Sequence, residues 1–229
     1  MTEEEWLAER NRSQYMIWSL LQPGKVQRTK AGKRKLRLFA CGCCRMIWHL
    51  LDNKILRPAL EAAERFANGE ADKDEIQQWY ERAQSLLGGG YSPEAPGVVA
   101  LTAAHMVADA CLSKAGSAAF GPTCMELALA GHSVGDLGGE AILCHLLRDV
   151  FGNPFRPAVM NREWVEWNDR SLEAVARSIY QDRAFDRMPI LGDALEDAGC
   201  DDETILAHCR GPGPHIRGCW VVDRILTKG

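Results

Sequence analysis

Cys200, His208, Cys209, His215 and Cys219 crowd one short stretch near the C-terminal end of the sequence. Thiolates and imidazoles are the donors that zinc prefers, taken four at a time in a tetrahedron. Cys200, Cys209, His215 and Cys219 therefore read as a candidate zinc set, with His208 as an alternate donor. Gly211-Pro212-Gly213-Pro214 lies between Cys209 and His215. Each proline fixes its own φ and removes a backbone donor, so the turn is rigid and able to fold both side chains toward one point. Cys219 follows His215 by four positions, close to the spacing of a second ligand pair. No Cys-x-x-Cys, the sharpest zinc signature, occurs here. The same residues also read as a compact helical corner with small buried thiols and histidines that cap helices.

A second cluster comprises Cys41, Cys43 and Cys44, with His49 downstream. On a helix Cys41 and Cys44 share a face, while Cys43 falls into the apolar stripe. Cys41 and Cys44 are alternate metal donors if the fold brings them to the C-terminal set. Vicinal thiols also suit redox sensing, which requires an acidic thiol; Arg37 and Arg45 are the cations able to provide one. The plain alternative is three core thiols. The chain holds nine cysteines, an odd number that rules out complete internal pairing.

Seven basic residues, Lys25, Arg28, Lys30, Lys33, Arg34, Lys35 and Arg37, run without an acidic interruption. Such a patch suits the phosphates of a nucleic acid or an acidic partner. It lacks the stacking aromatics of single-strand binders, and it also reads as a solvated loop. The net charge of −4 confines any nucleic-acid binding to this patch. Elsewhere the signals are thinner. His105 and Asp109 are spaced to orient each other on one helix. Glu140, Cys144 and His145 lack the Glu-x-x-His spacing of carboxylate-bridged metal bundles. Glu203 is an available general acid or base beside the histidines. No nucleophile elbow, His-Glu-x-x-His, P-loop or dinucleotide fingerprint is present.

The elements that must position these residues are helices. Apolar spacing and capping residues predict helices over about 2–21, 35–51, 56–67, 72–87, 98–115, 122–130, 139–151, 171–181, 188–198, 202–209 and 218–226. Thr2 and Glu5 form a capping box, Asp72 caps the fourth helix, and Asn68-Gly69 and Gly199 close two others. Residues 24–34 read as a polar loop, and Asn153-Pro154-Phe155-Arg156-Pro157 as an irregular hinge. Trp164 and Trp167 sit three apart, either as core or as a partner-facing ridge. The expected architecture is all-α and bundle-like, with about 9–11 helices. It forms one domain over 1–229, with a division near the glycine-rich 88–97 and a compact C-terminal module over 187–229. An acidic N-terminus without an apolar h-region, and no long apolar run, predict a cytoplasmic protein with no membrane span.

Three phrases carry a likeness: Arg37-Leu38-Phe39-Ala40-Cys41-Gly42-Cys43-Cys44-Arg45, Phe151-Gly152-Asn153-Pro154-Phe155-Arg156-Pro157, and Cys209-Arg210-Gly211-Pro212-Gly213-Pro214-His215-Ile216-Arg217-Gly218-Cys219-Trp220. In these the chain resembles a family of bacterial proteins of planctomycete-type genomes. The likeness covers most of the chain and is thinnest over 88–97. It implies a natural structural unit and no activity.

Three functions follow in order. The first is a macromolecular interaction or adaptor module, with a protein partner and a structural zinc. The second is a metal- or thiol-dependent enzyme using the Cys/His clusters. The third is a local nucleic-acid binder through Lys25–Arg37.

Overall fold

The computed structural model describes residues 1–22, 25–51, 54–85 and 139–228. The helices expected over 98–115 and 122–130, the His105–Asp109 pair and the segment 88–97 lie outside the described residues. Among the described residues every regular element is helical. No described helix is long and apolar enough to cross a membrane. The chain divides into two compact units. One comprises Met1 with Ala8–Leu147, the other Thr2–Leu7 with Arg148–Gly229.

The N-terminal unit contains α2 (Ser13–Leu21), α3 (Lys25–Arg28), α4 (Lys30–Met46), a 3₁₀ turn (Trp48–Leu50), α5 (Leu56–Ala67), α6 (Lys73–Ser85) and most of α7 (Gly139–Phe151). The expected helix over 2–21 is in fact two, α1 (Glu3–Ala8) and α2. The break has a local cause. The Glu9 carboxylate accepts the backbone N–H groups of Arg10 and Asn11 and the Arg12 guanidinium, so the backbone donors turn away from a helical ladder. No side chain of Arg12 caps α2; the Glu140 carboxylate instead accepts the Ser13 N–H at 2.7 Å.

The basic segment is helical rather than a loop. Thr29 caps α4 by accepting the Gly32 N–H at 2.9 Å, and the lysines and arginines that follow are good helix formers. Gly32 is required where α3 meets α4, because a Cβ there would stand 1.8 Å from the Val26 carbonyl oxygen. The core beneath is built from Leu36, Phe39, Cys43, Leu60 and Ala63, among others. Asp72 caps the sixth helix by accepting the Glu75 N–H, as its sequence position predicts.

The C-terminal unit contains α1, the end of α7, α8 (Arg162–Asp182), α9 (Met188–Asp197), α10 (Glu203–Arg210) and α11 (Trp220–Ile225). The capping box on α1 is formed: Thr2 N–H donates to Glu5 and Glu5 N–H to Thr2. Trp6 is fully buried and gives its indole N–H to the Gly152 carbonyl at 3.0 Å. Inside α8, Trp167–Arg170 leave the helical region, with Asn168, Asp169 and Arg170 at positive φ, so the regular helix resumes where the apolar period predicts it. Helices α8, α9, α10 and α11 enclose one core of Leu172, Ala176, Ile179, Leu191, Leu195, Ile205 and Val221 with further apolar neighbours.

Candidate metal centre

The polar centre of the C-terminal unit is Asp149. It lies in the last turn of α7, 1% exposed, in the apolar sequence Leu146-Leu147-Arg148-Asp149-Val150. A carboxylate at that end of a helix faces the negative end of the dipole and gains nothing from its own helix. Its stabilisation comes from far along the chain. Oδ1 accepts from His215 Nδ1 at 2.7 Å and lies 3.3 Å from His208 Nε2, while Oδ2 accepts the Ile216 N–H at 2.9 Å.

Each partner is placed by a local device. Asp202 caps α10 through the N–H groups of Thr204 and Ile205, which sets the helix phase that puts His208 in its final turn. The Gly-Pro-Gly-Pro turn, with a cis bond between Gly213 and Pro214, returns the chain so that the His215 ring lies 4.9 Å from the His208 ring. Cys219 occupies the N-cap of α11, and its Sγ is 3.2 Å from His208 Nε2. The four ligand atoms of Asp149, His208, His215 and Cys219 all lie within 4.8 Å of one another, and among the described residues no other group of this kind is present.

Hydrogen-bond partners assign the protons. The Trp220 indole N–H, a donor only, points at His208 Nδ1 at 3.2 Å. Nδ1 therefore accepts and the His208 proton sits on Nε2, facing Asp149 and Cys219. His215 likewise presents an N–H to the carboxylate from Nδ1. Burial pushes the Asp149 carboxyl upward, but the hydrogen bonds from His208 and His215 outweigh it and hold it well below its usual range. Burial, reinforced by the Asp149 charge, pushes the Cys219 thiol well up.

Of the residues singled out in the sequence, His208, His215 and Cys219 come together. Cys200 and Cys209 pack in the hydrophobic core of the same unit, and burial pushes the Cys209 thiol up to about 12. Glu203 is exposed in the first turn of α10. Cys41, Cys43 and Cys44 are buried in the N-terminal unit and His49 is exposed there. Burial drives the Cys43 thiol upward, opposite to the acidity of a redox thiol. Arg45 is committed to Glu64, and Arg37 is buried over the Phe66 ring at 4.3 Å. The basic run does not form one surface. Arg28, Lys30 and Lys33 are exposed, whereas Arg34 donates to Asn68 and Lys35 is half-buried; the Lys25 side chain lies outside the described residues.

Asp149 was not singled out from the sequence, yet it carries a signal. It is an acid on the buried face of an apolar helix, one turn after Leu146 and two after Ile142, at the end where the dipole disfavours it.

The fold and site together define an all-α protein with a buried Asp–His–His–Cys cluster. No family model, curated protein or solved structure matches the chain.

Proposed function

We propose that this protein is a helical interaction module that binds another protein through a ledge on its C-terminal unit. The observation that carries this reading is the segment 154–167. Along it Ala158, Met160, Trp164 and Val165 pack against the core, while Phe155, Val159 and Trp167 stand 45%, 77% and 41% exposed. Large apolar side chains displayed on a segment anchored from beneath are typical of a partner surface, and tryptophan is over-represented among the residues that dominate binding energy. The catalytic alternative has less support, since the thiols of Cys43, Cys209 and Cys219 are pushed up rather than activated. A reducing compartment such as the cytoplasm suits the reading, because Cys200, Cys209 and Cys219 are free thiols rather than disulfide partners.

A photo-crosslinking residue at position 159 of the full chain tests the proposal in the producing cell. One discrete adduct is expected, and the partner it identifies, once purified, should bind the native chain. Trp167→Ala should weaken that binding by at least about tenfold, the effect of losing a modest hot spot. A chain that stays monomeric and gives no adduct would defeat the proposal.

A second reading rests on the exposed Arg28 at the end of α3 and Lys30 and Lys33 at the start of α4, whose first turn holds no acid. These charges suit a phosphate backbone. A mobility shift that fades with salt, and is abolished by reversing Lys30 and Lys33, would support it.

A further inference from the structure

We propose that Asp149, His208, His215 and Cys219 form a structural site for one divalent cation of the zinc class. The donors themselves limit the choice of ion. Two imidazoles and a thiol exclude the hard cations, which take oxygen shells, and match the borderline-soft ions. Three of the spacings lie near or below those of a metal set, and every pair of donors lies within 4.8 Å. Zinc bonds of about 2.0–2.3 Å in a tetrahedron place neighbouring donors roughly 3.2–3.7 Å apart. Here His208 Nε2 lies 3.2 Å from Cys219 Sγ and 3.3 Å from Asp149 Oδ1, and the short edge is His215 Nδ1 to Asp149 Oδ1 at 2.7 Å. Seating an ion requires that edge to open by about half an ångström toward the tetrahedral spacing.

The site is closed, which assigns it a structural role. The side chains of Asp149, His215 and His208 are 0%, 5% and 14% exposed, and Cys219 is fully buried. Four protein donors complete a tetrahedron, whereas a catalytic zinc keeps a position open for water. The ion would join points distant in sequence: Asp149 and His215 stand 66 residues apart. A bound cation also answers a chemical oddity of the cluster. A thiol beside a buried carboxylate is poor company until a cation lies between them, when both become anionic ligands.

Loading has a stated proton balance. The cation takes the places of the protons on His208 Nε2 and His215 Nδ1, each of which passes to the other nitrogen of its ring, and the Cys219 thiol proton is released to solvent. His208 then carries its proton on Nδ1, where the Trp220 N–H points. Two donors cannot face each other, so the Trp220 indole must turn, and its fluorescence reports occupancy. A cluster that never binds metal keeps the Trp220–His208 contact in all conditions.

The test uses the full-length chain purified without a tag, stripped with chelator and titrated with cobalt(II). The expected result is one cobalt per chain, the intense visible bands of tetrahedral coordination, a thiolate-to-cobalt charge-transfer band, a change in tryptophan emission, and displacement by zinc. Cys219→Ser should abolish the charge-transfer band and lower affinity at least about 100-fold, while Cys209→Ser, a buried thiol outside the cluster, keeps both. X-ray absorption at the zinc edge of the wild-type chain provides a reading that does not depend on a variant folding; one sulfur and three nitrogen or oxygen neighbours are expected. A folded wild-type chain that takes up no cobalt would overturn the proposal. So would a zinc shell of several sulfurs, or a charge-transfer band that survives Cys219→Ser.

Discussion

Each unit buries a carboxylate on a helix, and the two are treated differently. Glu64 in the N-terminal unit, 2% exposed, meets Arg45 in a two-pronged pair of 2.8 and 2.9 Å, and the same guanidinium lies 4.0 Å above the Trp48 ring. Its partner is charged at every accessible pH and ligates no metal. Asp149 in the C-terminal unit meets two imidazoles and a backbone N–H, with a thiol one contact further. All of these side chains can exchange a proton for a cation. Burial of an acid is thus not itself a sign of function; what surrounds the acid decides. The cysteines teach the same lesson. Cys41, Cys43 and Cys44 are the denser cluster in sequence, yet all three line a core. Cys219 lies ten residues beyond the nearest cysteine in sequence, Cys209, and stands beside a carboxylate and two histidines.

Removing each carboxylate should separate the two centres most sharply. Glu64→Ala leaves the Arg45 charge largely buried and without its fork, and Asp149→Ala leaves two imidazoles and an N–H facing a void. Each should cost about 3–5 kcal/mol in thermal or denaturant unfolding. Chelator distinguishes them. It should lower the wild-type and Glu64→Ala melting temperatures alike and leave Asp149→Ala unmoved. An equal chelator response in all three would dissolve the contrast.

Glycine substitutions probe the supports of each centre. Gly32→Ala drives a Cβ into the Val26 carbonyl and must push α3 off α4, at about 1–3 kcal/mol, with metal affinity unchanged. Gly152 has φ +66°, and a Cβ there would lie 3.2 Å from the Trp220 ring. Gly152→Ala should cost about 1–2 kcal/mol through the left-handed backbone. It should also disturb metal binding, because Trp220 carries the N–H that faces His208. Cobalt titration of both variants checks this, and an affinity loss in Gly32→Ala alone would refute it.

Acid sharpens the comparison further. The Asp149 carboxyl is lowered from an ordinary value of 3.8. A group held lower in the folded state than in the unfolded state contributes stability that is complete above the unfolded value. That stability is lost as pH falls below about 4 toward the folded value. Chelated protein should therefore lose stability through this range, and Asp149→Asn should flatten the loss. A curve of unchanged slope in the variant would show that other carboxylates govern acid unfolding.

The sequence made the helices legible where a strong period met a good cap. Leu56–Ala67 keeps its apolar stripe and ends at Asn68-Gly69, and Asp202 starts α10 as expected. Two failures have physical causes. The basic segment lacks apolar residues at its start, so its helix was announced only by Thr29 and by the propensities of Lys, Arg and Ala. The break after α1 depends on one side chain, Glu9, bonding its own backbone. Three of the four cluster residues, His215 and Cys219 with His208 as the alternate donor, were visible because they lie close in sequence around the rigid Gly211–Pro214 turn. Asp149 was hidden by distance along the chain, since no local pattern links it to His215. Trp164 and Trp167 looked equivalent, but the backbone leaves the helical region at Trp167, and only Trp164 packs inward.

The smallest expected effect lies at the start of α4. Lys30 and Lys33 place positive charge in the first turn, at the positive end of the helix dipole, and neither is buried. For stability alone, acids belong there. Lys30→Glu should therefore raise stability by about 0.3–1 kcal/mol at low salt, and the gain should shrink as salt screens it. A helix that keeps lysines where glutamates would stabilise it gives up free energy that a polyanion would restore on binding. The double reversal of Lys30 and Lys33 separates the two consequences. A more stable chain with an unchanged mobility shift on nucleic acid makes the basic turn a solvated helix end. A more stable chain that has lost the shift makes it a binding surface, and one that is less stable removes the dipole explanation altogether.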